Sequence, residues 1–235
     1  MQLPDEMLHS QVADQNKDLL LAAVRQLSLP SGGHVLEIAS GTGQHVTHLA
    51  AGLPELTFHP SDVNTHMLAT LRKRLADEPL NNVCPPRVAD AAEPDTWPVP
   101  GDTCRTCSPD RTARCEACRT RAHVPGWLDA VLCINMTHVA PPESWRGLLT
   151  GAGRWLRPGG ALLLYGPFQR EGRIPANLET FQQRLQQENP SWGLRDVSEL
   201  CEHAESCGLR LESDTQPAPN QSLLVWRRRT ADPGS

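Results

Sequence analysis

Lysine is nearly absent from this chain of 235 residues: Lys17 and Lys73 are the only two, and arginine carries the other positive charges. No lysine follows the glycines at 41 and 43, which excludes a Walker loop, whose G-K-[ST] lysine holds phosphates. Long basic blocks are missing as well. Net charge is −5, and the run Arg227, Arg228 and Arg229, next to the C-terminus, reads as a solvated strand end. Long nucleic acid is therefore not an expected partner. No apolar run approaches membrane-spanning length, and the opening MQLPDEMLHS has neither the basic nor the apolar region of a secretion signal. A soluble, cytoplasmic protein with no membrane partner is expected. Internal repeats and interdomain linkers are also lacking. The length suits one α/β domain with a substantial core. The expected layout is a flexible arm at 1–15 and one domain at 16–235, interrupted by an insertion at 101–126.

What the chain does have is the stretch 34–45, HVLEIASGTGQH. Val35, Leu36 and Ile38 form an apolar strand, two glycines flank Thr42, and a helix-compatible segment follows. That order places backbone N–H groups and a helix N-terminus at the carboxyl end of a parallel strand, where open α/β sheets bind ligands. The spacing is not the G-x-G-x-x-G of dinucleotide sites, because Ala39, Ser40, Gly41 and Gly43 stand as A-S-G-T-G. Glu37, just before the glycines, repels a pyrophosphate and suits a ligand with a cationic amine. The run resembles motif I of class I S-adenosylmethionine (SAM)-dependent methyltransferases, with Ala39 at the usual first glycine.

Further units follow in alternation. A helix at 16–27, with Asn16 and Lys17 at its start, precedes the first strand and is placed to cover the site. A short strand at 56–60 leads to Ser61 and Asp62. That carboxylate lies about 20 positions beyond the glycines, where it can accept hydrogen bonds from ribose hydroxyls. Val63 or Met67 can pack on an adenine face; a methionine at helical spacing also serves as core. A third strand at 83–89 ends at Asp90 and Ala91. The fourth, at 128–134, is buried by its continuous hydrophobicity and ends at Asn135 and His138. A helix opens at Pro141, a turn at Arg157-Pro158-Gly159-Gly160 enters a fifth strand at 161–165, and Tyr165, the only tyrosine, closes it. Helices at 178–187 and 197–207 and strands at 209–214 and 222–227 complete the chain.

The expected fold is therefore an α/β, Rossmann-like class I methyltransferase sheet of seven mostly parallel strands, the last antiparallel. The resemblance narrows to the DUF938 family, which includes methyltransferase-like protein 26. It is carried by Asn16-Lys17, VLEIASGTGQH, Pro60-Ser61-Asp62, CINMTHV at 133–139, Tyr165-Gly166-Pro167-Phe168, WGLRD at 192–196 and PNQSL at 219–223. The resemblance implies SAM as cofactor and methyl transfer as the reaction, without naming a substrate. It implies cofactor contacts for Asn16, Lys17, Glu37, Ala39, Ser40, Gly41, Gly43, Asp62, Val63 and Asn135. It also implies that Asp90 binds the adenine amino group while the N–H of Ala91 meets a ring nitrogen, a turn or helix cap being the other reading of Asp90.

Methyl transfer is an in-line displacement, so positioning and desolvation dominate and a base is needed only for a nucleophile of high pKa. His138 is the candidate base or substrate contact, with a structural hydrogen bond as the alternative. Asn135 can orient a ligand, and Tyr165 ends a strand at the same edge. The expected acceptor is a small molecule.

The insertion holds Cys104-x-x-Cys107 and Cys115-x-x-Cys118, seven residues apart. Two such knuckles close a tetrahedral site of four thiolates, so structural zinc is expected, with a redox pair or iron as alternatives. The other four cysteines, Cys84, Cys133, Cys201 and Cys207, read as small core residues. Two further functions compete: a non-catalytic SAM binder that engages a partner through the zinc loop, and a thiol or metalloid S-methyltransferase. Oligomeric state is left open.

Overall fold

The structure is a computed structural model that describes residues 10–98 and 125–230. The four cysteines Cys104, Cys107, Cys115 and Cys118, and residues 1–9 of the expected arm, lie outside the described residues.

Five strands run parallel: β1 (His34–Ile38), β2 (Thr57–Asp62), β3 (Arg87–Val88), β4 (Leu128–Ile134) and β5 (Leu156–Gly166). A small parallel pair, β6 (Phe168–Gln169) and β7 (Arg195–Asp196), stands apart, and no sequence pattern announces strands this short. The closing hairpin is β8 (Leu209–Ala218) and β9 (Gln221–Arg228), with β9 antiparallel to β5. The main sheet has the order β3-β2-β1-β4-β5-β9-β8. This is the seven-stranded, mostly parallel sheet expected from the sequence.

Helices cover both faces, because strands such as β4 are buried on each side along their full length. On one face α1 (Gln11–Gln26) and α2 (Gln44–Gly52) bring Leu20 and Leu49 onto Val35 and Leu132; Leu71 of α3 (Thr65–Asp77) joins them. On the other, α4 (Pro142–Trp155) and α6 (Val197–Ser206) bring Leu148, Trp155 and Leu200 onto Leu162 and Trp226. A last helix, α5 (Glu179–Glu188), lies beyond the carboxyl end of β5 in the chain. No described helix is long and apolar enough to cross a membrane.

Several boundaries differ from the sequence pattern, each for a physical reason. Helix α1 starts at Gln11 instead of 16: the Ser10 side chain accepts from Ala13 N, and Gln44 holds the Ser10 backbone at N and O. Strand β3 shrinks to two residues, since Pro85 and Pro86 offer no N–H to a ladder and Val83 makes only an isolated bridge to Phe58. Strand β5 begins before its expected turn. Residues 157–160 are absorbed as a bulge between the pairs Leu128–Leu156 and Ala130–Ala161, with Arg157 ion-paired to Asp129. Cys84 and Cys133 are buried as expected, but Cys201 and Cys207 are only half-buried.

Gly43 begins α2 at φ +84°, and a Cβ there would lie 2.0 Å from Leu71 Cδ1. Leu71 is itself fully buried and cannot retreat. Gly43→Ala is therefore expected to cost about 2–4 kcal/mol from backbone strain and overpacking together, read as a lower urea midpoint at unchanged m.

Candidate functional site

The strand order reverses between β2 and β4, the two neighbours of β1, and at such a point open α/β sheets form their ligand crevice, outside the carboxyl ends of the strands. The turn after β1 needs left-handed backbone at three positions: Ala39 (φ 60°), Gly41 (φ 55°) and Gly43 (φ 84°). Ala39 adopts this conformation without being glycine, at a cost in strain. The turn is tied to β2. Ser40 N donates to Ser61 O at 2.8 Å, and Ser61 Oγ donates to Glu37 O at 2.8 Å. Asp62 closes the tie, its Oδ2 accepting from Gly41 N and its Oδ1 from Asn64 N, each at 2.8 Å. A Cβ added to Gly41 would meet nothing within 4 Å among the described residues, so they leave this side of the turn open.

Two acids share the crevice floor. Glu37 is 1% exposed, and burial pushes its carboxyl up to about 7, with the Asp62 charge adding and the Ser40 hydroxyl opposing. Glu37 Oε2 is buried without a hydrogen-bond partner among the described residues. Burial and Glu37 together push the neighbouring Cys133 thiol far up, leaving it inert. Val63, beside Asp62, is 60% exposed. At the end of β3, Asp90 Oδ1 accepts from Ala92 N at 2.8 Å and its carbonyl from Trp97 Nε1 at 2.9 Å. Asp90 thus performs the turn role; Ala91 is buried beside it.

At the ends of β4 and β5, Asn135 (φ 56°) donates its N–H to Tyr165 O at 2.8 Å. A Cβ on Gly166 would stand 3.4 Å from Asn135 Oδ1 and 3.7 Å from His138 Nδ1, so both polar atoms border the same free space. His138 is buried, its ring edge packs on Phe181 at 5.6 Å, and its Nδ1 lacks a partner among the described residues. Burial pushes its pKa down to about 4, with the Arg195 charge adding. The loop carrying it is bracketed from β7 and the residues before it. Gly193 N donates to His138 O at 3.0 Å, and the Arg195 guanidinium donates to the carbonyls of Thr137, Ala140 and Ser191.

A family model described as a protein of unknown function, DUF938, matches residues 7–228. The chain belongs to the DUF938 family. Among solved structures it is similar to an O-methyltransferase family protein from Burkholderia thailandensis, at 18% identity and a TM-score of 0.66, over 94% of this chain and 59% of that one. It is similar to the apo S-adenosylmethionine-dependent methyltransferase SibL at 18% identity and a TM-score of 0.66, over 93% and 56%. It is also similar to human N-acetylserotonin methyltransferase in complex with SAM, at 14% identity and a TM-score of 0.66, over 94% and 53%. The chain thus spans between half and two thirds of the length of these relatives. At such identities the likeness establishes the fold, that of SAM-dependent methyltransferases.

Within this DUF938 chain the expected site residues divide. Glu37, Ala39, Ser40, Gly41, Gly43, Asp62 and Val63 come together around the turn, with Asp90 and Ala91 on the same sheet edge. Asn135 and His138 meet at Gly166. Tyr165 does not join them: ladder alternation sends it to the opposite face, among Val35, Val46 and Leu49. There burial raises its pKa and the Asn16 side chain hydrogen-bonds its hydroxyl. Asn16 Oδ1 also takes His45 Nε2 at 2.7 Å, so α1 is fastened to β5 and α2 together. Lys17 is committed to Asp14 at 2.9 Å. Gly166, Arg195 and His45 were not singled out as site residues by sequence reasoning. The only signal for them was their place inside the stretches GPF, WGLRD and SGTGQH.

Burial depresses three histidines, His45 and His138 to about 4 and His59 to about 3, from 6.5. The unfolded chain binds protons that the folded chain refuses, so stability is full above pH 6.5 and falls as pH drops toward 4. Glu37, raised from 4.5, acts in the opposite direction, one group against three. Urea midpoints should therefore fall between pH 7 and 5, and His45→Gln should flatten that dependence.

Proposed function

We propose that this DUF938 chain is a SAM-dependent methyltransferase acting on a small-molecule acceptor. The observation that carries the reading is the pair of buried acids, Glu37 and Asp62, on an open glycine turn at the switch point of the sheet. Such a floor repels a pyrophosphate and attracts a cation; Glu37 Oε2, buried and without a hydrogen-bond partner among the described residues, is a group such a cation would satisfy. The residues therefore fit SAM, whose sulfonium supplies the methyl group.

In this reading the turn at Ala39, Ser40, Gly41 and Gly43 holds the methionine portion beside Glu37. The lone pairs of Asp62 left free by Gly41 and Asn64 take the ribose hydroxyls, and Val63 covers the adenine. Asp90 Oδ2 and the Ala91 N–H meet the adenine edge, while Asn16 and Lys17 bring α1 over the ligand. Asn135 and His138 orient the acceptor in the space beside Gly166. A histidine held near pKa 4 is a weak proton acceptor, so its part is to direct a hydrogen bond and not to store a proton. We also propose that Cys104, Cys107, Cys115 and Cys118 hold a structural zinc; their spacing supports it.

A native mass spectrum with and without SAM tests both parts. A one-SAM adduct is expected, weakened at least about tenfold by Asp62→Asn, which keeps the shape and one acceptor but removes the charge. A zinc increment is expected in the same spectrum and lost on Cys118→Ser. A chain that takes up no SAM at millimolar ligand overturns the reading. The acid pair adds a pH signature. A cationic ligand favours ionised Glu37, so SAM affinity should rise as pH increases through about 7 and weaken below it. Glu37→Gln should abolish that slope in calorimetric titrations at pH 6 and 8.

A further inference from the structure

We propose that the methyl acceptor carries a carboxylate, bound by Arg173 in a cavity beside Gly166; this rests on the SAM reading above. Beyond β5 the chain borders a cavity of about 460 Å³ with apolar walls from Phe168, Ile174 and Leu178 and polar groups from Arg173 and Asn220. Its size is that of a small-molecule site, about 300–1,000 Å³. Its position is fixed by the sheet. Ser222, in the cavity wall, is the ladder partner of Gly166. Directly paired residues present their side chains on one face, so Ser222 in the cavity wall shares the sheet face on which Asn135 and His138 border Gly166.

The charge arrangement names the ligand class. Arg170 and Arg173 are directly opposed across a two-residue turn: Arg170 N donates to Arg173 O at 3.1 Å and Arg173 N to Arg170 O at 2.8 Å. Glu171 (φ 51°) and Gly172 (φ 71°) supply the left-handed pair that such a turn requires. Like charges in this register destabilise each other. The fold neutralises only one of them. Arg170 grips Asp214 with both terminal nitrogens and donates to Ser222 Oγ at 3.2 Å, whereas Arg173 is exposed and has no ion-pair partner among the described residues.

The turn is held in place by Asp196, 3% exposed, whose Oδ2 accepts from Gly172 N at 2.6 Å while its Oδ1 caps α6. A planar guanidinium on a fixed base matches a carboxylate. Asn220 adds a donor, because its Oδ1 already accepts from Asn177 at 2.7 Å and its NH2 group has no partner among the described residues. Glu171 at the turn's tip offsets part of the Arg173 charge without pairing with it among the described residues, which favours a monoanion over a dianionic phosphate. The apolar walls take the acceptor's body.

The test uses the full chain loaded with S-adenosylhomocysteine, with benzoate, phenylacetate and 4-hydroxyphenylacetate as probes and their primary amides as neutral controls. Ligand-observed NMR should show at least one carboxylate binding about tenfold or more tightly than its amide. Arg173→Ala, at an exposed position, should erase that preference while leaving S-adenosylhomocysteine affinity at the wild-type value. Arg173→Lys should retain part of it. The inference is overturned by equal binding of acid and amide, by a preference that survives Arg173→Ala, by tighter binding of phenyl phosphate, or by no carboxylate binding at millimolar concentration. The same titrations on unloaded chain separate the two readings: failure to bind S-adenosylhomocysteine removes the cofactor assignment, while the acid–amide preference still reports on Arg173.

Discussion

The crevice depends on one carboxylate. Asp62 accepts from Gly41 N and Asn64 N, and so fastens the turn after β1 to the end of β2. Without that tie, three closely spaced left-handed positions, one of them an alanine, would have no reason to persist against their conformational cost. The tie also contributes to the electrostatics. Burial makes Glu37 hold its proton more tightly than a solvated carboxyl does, and the second acid that the tie keeps nearby adds to that shift.

The other half of the site is assembled from distant chain segments. His138 follows β4, but its loop is held by Gly193 and Arg195, more than fifty residues later. Arg195 is itself half-buried, and burial lowers its pKa while it stays clamped on three carbonyls. Burial, with the Arg195 charge adding, disfavours a protonated His138, and the bracket holds its loop in position. The two residues at the end of β5 then separate two tasks by alternation alone. Tyr165 points to α1 and anchors Asn16; Gly166 leaves space on the opposite face.

The opposite end of the sheet shows a contrast. There His34 Nδ1 and His59 Nε2 lie 3.0 Å apart, and both rings pack on Trp127. His59 is buried and strongly depressed, and Asp129 nearby accepts from His34 N and pairs with Arg157. These polar groups are turned on one another. They join β1, β2 and β4 at their amino ends, as the acid-bearing turn joins β1 and β2 at the carboxyl end.

Much of this was legible in the chain itself. A largely apolar run as short as 128–134, between Gly126 and Asn135, reads as a strand buried on both faces, and glycines after such a run mark a turn that opens a helix. Local chemistry therefore determined the alternating α/β order, the acid-flanked turn and the position of Asp62, because each is written within a few residues of sequence. Tertiary structure decided what depends on which segments meet. It made Ser10 a helix cap by supplying Gln44, and reduced β3 to a remnant beside two prolines. It sent Tyr165 away from His138 and left Arg173 without the partner that Arg170 received. None of these follows from spacing, since the partner in each case is set by strand register and packing and not by proximity along the chain.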